Sequence, residues 1–105
     1  MSIIKITPAP YAPSDLSPTR FEFLLALTGF GEVWDAIAQQ AKNSGDRSTY
    51  AALMAERKRS VFKLDRVLVV VEQFRDQAAT AFPDVDLSEK AIRDAWKQAE
   101  TYKGL

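Results

Sequence analysis

Cysteine and histidine are both missing from this sequence of 105 residues. Without thiols there are no disulfides, no thiolate metal sites and no cysteine nucleophile. Without imidazole the chain lacks the commonest general base and the commonest transition-metal ligand. Carboxylate, lysine, tyrosine and serine are what remain for chemistry. Excess charge of either sign is absent too. Fourteen basic and fourteen acidic residues balance, so no global field draws the molecule toward nucleic acid or a membrane. No apolar run approaches the ~20 residues that span a bilayer. The N-terminus carries Lys5 and prolines where a targeting segment needs an apolar stretch.

What is present describes one domain. A hydrophobic content of 47% matches an ordinary globular protein, and a chain of this length buries somewhat over ~60% of its unfolded surface. Residues 1–18 stand apart, holding Pro8, Pro10, Pro13 and Pro18, four of the five prolines. Proline fixes its own φ and pushes the preceding residue to extended geometry, so the segment is predicted to be an extended N-terminal arm. Within it Ile3-Ile4-Lys5-Ile6 is a β-prone run suited to adding to a partner's sheet edge. The alternative is a terminus laid over its own core.

Residues 19–105 read as an all-α bundle of four to five helices. Ser17-Pro18 opens the first, with serine as N-cap and proline at the first helical position. Phe21, Leu24, Leu25 and Thr28 then share a face, and Gly29 is a natural left-handed stop. A second helix from about Phe30 sets Val33, Trp34, Ile37, Ala38 and Ala41 at helical spacing, and Asn43-Ser44-Gly45-Asp46 ends it. From Ser48 to about Phe82 the pattern is again helical, either as one helix or as two broken near Arg59-Ser60. Val67-Leu68-Val69-Val70-Val71 favours a strand by propensity, but its polar neighbours repeat at 3.6 rather than 2, and periodicity decides for helix. After Phe82-Pro83-Asp84, Asp86-Leu87-Ser88-Glu89 matches a capping box with Asp86 as cap. The last helix carries Ile92, Ala95, Trp96, Ala99 and Tyr102, and Gly104 is expected to stop it.

The densest charge feature is Arg57-Lys58-Arg59 with Lys63 and Arg66. On one helix Arg59, Lys63 and Arg66 would form a stripe able to grip phosphates, against which stand Glu56, Asp65 and Glu72 beside it. Arg57, Arg59, Lys63 and Arg66 are thus the candidate anion contacts, with a solvated face as the plainer account. Asp84 and Asp86 lack the spacing and glycine of a calcium loop, and helix capping explains them. The carboxylates are spread along polar faces near lysine or arginine, and the serines sit at caps or turns, so no enzyme activity, cofactor or metal is expected. Trp34 and Trp96 fall on apolar faces and are assigned to the core. The aromatics expected nearer the surface, as candidate partner contacts, are Tyr11, Phe23 and Phe30, alongside Ile3, Ile4 and Ile6 of the arm.

Two stretches carry a resemblance: Arg20-Phe21-Glu22-Phe23-Leu24-Leu25-Ala26-Leu27-Thr28 followed by Trp34, and Asp86-Leu87-Ser88-Glu89-Lys90-Ala91-Ile92-Arg93-Asp94-Ala95-Trp96. They resemble small uncharacterised helical proteins encoded near the tail-fibre genes of tailed phages and prophages. Many of those proteins open with an aromatic-x-Phe-Leu-x-Ala-Leu helix, and they often close with a short helix after a leucine-serine/threonine-acid turn. Many of them place a proline between the third and last helices, where this chain has Phe62-Lys63-Leu64-Asp65-Arg66. The resemblance implies a phage context, in virion or host cytoplasm, with a structural or assembly role at the tail tip. The expected partner is a protein, whether another phage structural subunit or a second copy, rather than nucleic acid or membrane. The competing expectation is a small regulator or inhibitor that meets nucleic acid, or an enzyme acting on it, through Arg57–Arg66.

Overall fold

The computed structural model describes residues 12–104, and within them the regular secondary structure is five α-helices and one isolated β-bridge. Ile3, Ile4, Ile6 and Tyr11 lie outside the described residues.

Helix α1 spans Pro18–Thr28. The Ser17 hydroxyl accepts from the Arg20 amide at 3.3 Å and proline occupies the first turn, as N-cap chemistry requires. Gly29, at φ 77°, both closes α1 and precedes α2, which spans Phe30–Asn43. A side chain there would be strained by the left-handed backbone and would also press on Val85, 3.2 Å away. Thr28 reinforces the junction: its hydroxyl donates to the Leu24 carbonyl at 2.9 Å and accepts from the Phe30 amide at 3.1 Å.

Helix α3 spans Arg47–Arg57 and α4 spans Leu64–Ala81, so the long helical pattern divides in two. Asp46 caps α3, accepting from the amide and hydroxyl of Thr49, which hold its carboxyl below the usual aspartate range. The valine run is helical. Val67, Val70 and Val71 are buried, while Val69 points outward. Alternation along a strand would have put Val67, Val69 and Val71 on one face.

Helix α5 spans Glu89–Thr101. Its cap corrects the sequence expectation, because Ser88 rather than Asp86 accepts from the Ala91 amide, at 3.2 Å. Asp86 stands two residues ahead and accepts from the Ser88 amide at 2.9 Å, a turn that presents the true cap. The helix also ends before Gly104, with Tyr102 already extended and half exposed instead of on the buried face.

Backbone packing runs in the order α3, α2, α1, α5, α4. At the centre Phe21 stacks on Phe62 with centroids 3.9 Å apart and presents edges to Trp34 and Trp96 at 6.3 and 6.4 Å. Both tryptophans are core residues. Each still finds a hydrogen-bond acceptor, Leu53 O for Trp34 and Ser14 O for Trp96. No buried side-chain polar atom among the described residues lacks a partner.

Candidate interaction surface

Three places on this bundle have features beyond core construction. The first is where residues 12–17 meet the body. Leu16 is 1% exposed and exchanges two backbone hydrogen bonds with Phe62, at 2.8 and 2.9 Å. Two residues earlier, the Ser14 amide donates to Glu100 Oε1 at 2.7 Å and its carbonyl accepts from Trp96. Arg20 locks the same corner by donating to the carbonyls of Ala99 and Tyr102 at the end of α5. Cations suit a helix C-terminus because its last carbonyls are unpaired and the dipole is negative there. The stretch before α1 is therefore laid over its own core from Ser14 onward.

The second is the basic cluster, which the structure rearranges. Residues 58–63 are not helical, so Arg59, Lys63 and Arg66 do not form a helical stripe. Four of its five cations, all but Lys58, also face a carboxylate. Arg57 pairs with Asp35 at 3.0 Å and Glu22 at 3.4 Å, and its guanidinium lies over the Trp34 ring. Arg59 and Arg66 both grip Glu56, while Lys63 faces Asp15 at 3.9 Å. Hydrogen bonds from Arg66 first, then Arg59, lower the Glu56 pKa to about 2. The cluster is a set of internal clamps.

The third is a groove of about 450 Å³ between α3 and α4. Ala52 and Glu56 form one wall, and Asp65, Val69, Val70 and Gln73 the other. A smaller hollow of about 120 Å³ shares Ala52 and Val70 and reaches Leu53 and Phe74, so the floor is apolar. Val69, 59% exposed, is the most exposed of the large hydrophobic side chains among the described residues.

Of the two described aromatics expected near the surface, Phe23 is half-buried, its ring 4.6 Å from that of Tyr102. Phe30 is a correction: at 1% exposure it belongs to the core. It opens α2 directly after the Gly29 turn, which swings it inward onto Trp34. The groove was not apparent in the sequence, though Val69, the odd valine out on a buried helix face, was the signal for it.

Among the described residues no group of three or more acidic side chains is placed to hold a metal ion, and no helix is long and apolar enough to cross a membrane. Comparison of the chain with protein-family models, with curated proteins and with solved structures finds no match.

Proposed function

We propose that this protein is a non-catalytic interaction module that docks on a protein partner through its N-terminal arm, as a minor tail component or assembly factor of a phage. The tail context rests on the resemblance of the first and last helices to proteins of that setting. The observation that carries the docking role is the anchorage of the arm's root. Leu16 is buried and bonded to Phe62, and Ser14 is tied to α5. A segment fixed so firmly at its base delivers the residues before it from a defined point on a rigid block. Proline at positions 8, 10 and 13 lowers the entropy lost when such a segment orders on a partner.

The pairing of Arg57, Arg59 and Arg66 with carboxylates argues against the competing regulator, since phosphate would have to displace those partners. Deletion of residues 2–11 tests the docking role while leaving Ser14 and Leu16 in place. The helical circular dichroism signal is expected to stay unchanged and partner or self association to vanish. Association that survives the deletion would overturn the proposal.

A further inference from the structure

We propose that the Leu16–Phe62 bridge is a latch. Seated, it holds closed the charged rim of the α3–α4 groove; released, it lets that rim part. The device lies wholly in the strap before α1, the 58–63 connector and the groove, and does not depend on what the arm docks on.

Both hands of the Glu56 clamp hang from the segment that Leu16 pins. Phe62 is the one buried residue of the 58–63 connector. Arg59 precedes it by three residues and Arg66 follows it by four. Arg59 donates to the Glu56 carboxylate at 2.9 and 3.1 Å. Arg66 Nε donates to both oxygens of the same group, at 3.0 and 2.8 Å. Ser17, Asp46 and Ser88 cap α1, α3 and α5 through their side chains, whereas Lys63 gives α4 no such cap. A first turn without a cap frays more readily, and Arg66 lies in that turn. What steadies the entry to α4 instead is Phe62, through its two backbone bonds to Leu16 and its ring on Phe21.

The strap can lift without unwinding a helix. Residues 12–17 are not helical, and only Leu16, the two bonds of Ser14 and the Asp15–Lys63 pair hold them down. That pair is exposed and 3.9 Å apart, so it adds little. Segments with few backbone bonds open at lower cost than the helices they rest on. When the strap leaves, Phe62 loses both backbone partners, and the connector and the first turn of α4 gain freedom together. Arg59 and Arg66 then part from Glu56. Such coupling acts equally in both directions, because linkage within one molecule is reciprocal. The rival arrangement is a rim fixed by α3–α4 packing alone, through Leu53 and Val70.

In the full-length chain, carbon-13 titration of the Glu56 carboxyl reads the rim, and amide hydrogen exchange at Leu16 and Phe62 reads the latch. In Leu16→Ala the Glu56 midpoint is expected to rise from about 2 toward 4.5. Leu16→Met, which refills the seat, is expected to keep it low. A midpoint unmoved in Leu16→Ala, with the helical circular dichroism signal retained, would overturn the latch. The reverse measurement leaves the strap intact, so it decides even where Leu16→Ala does not fold. In Glu56→Gln the Leu16 and Phe62 amides are expected to exchange at least about fivefold faster relative to those of α2. Acceleration at these two amides no greater than in α2 would leave strap and rim uncoupled and defeat the proposal.

Discussion

Around α1, α2 and α5 the side chains that meet are mostly aromatic and dry, whereas the mouth of the α3–α4 seam is closed by charge. In the first region Phe21, Phe62, Trp34 and Trp96 share one ring cluster, and Leu16 closes it from outside the helices. In the second, α3 and α4 are bridged at their rim by Glu56 and Arg66, with an open groove beside them. Apolar contact stabilises in proportion to the area removed from water, while exposed ion pairs contribute little. Stability should therefore concentrate in the aromatic half, leaving the charged half free to accept substitutions.

The contrast is broken most readily at its strong end. Trp96→Ala empties the space of a fully buried ring and leaves Ser14 O without its donor. An expected loss of about 3–5 kcal/mol is to be read from chemical denaturation. Leu16→Ala, in a segment that is not helical at all, is expected to cost about 2–4 kcal/mol by the same measurement. A loss under about 0.5 kcal/mol there would show that the root is only resting on the core.

Glu56 sharpens the other end. Its carboxyl lies at about 2 in the folded chain against an ordinary 4.5. The unfolded chain takes up the proton first as pH falls, so the clamp's contribution is complete above ~4.5 and disappears on acidification toward ~2. Discounted for its half-exposed arginines, that contribution is about 1–2 kcal/mol. Glu56→Gln is expected to remove it at neutral pH and to flatten the stability profile between pH 5 and 2, as followed by denaturation at stepped pH. Smallest of all, Val69→Lys is expected to shift stability by less than about 0.5 kcal/mol.

The helices and most of the core were legible because both follow from spacing. Phe21, Trp34, Val71 and Ile92 each occupy the face their period assigns them, and Ser17-Pro18 and Gly29 mark true ends. Less was legible wherever tertiary contact decides. Asp86 and Ser88 are both competent caps, and only the backbone at Ser88, extended at φ −60° and ψ 155°, shows which of them starts α5. Phe30 follows a glycine turn whose direction sequence spacing does not give. Arg59, Lys63 and Arg66 make a stripe only if one helix runs through them, and spacing alone leaves a break near Arg59-Ser60 open. The break at 58–63 instead turns Arg59 back onto Glu56 and frees Phe62 to enter the core. Nothing in local pattern announces that Leu16 and Phe62, far apart in sequence, share two backbone bonds.

That bridge also has a mechanical meaning. Tension applied at the N-terminus does not reach α1 first. It is taken up at Ser14 and Leu16, and passes through Trp96 to α5 and through Phe62 to the α3–α4 connector. A tug on the leading residues is thus shared between α5 and the α3–α4 connector before any helix is asked to unwind.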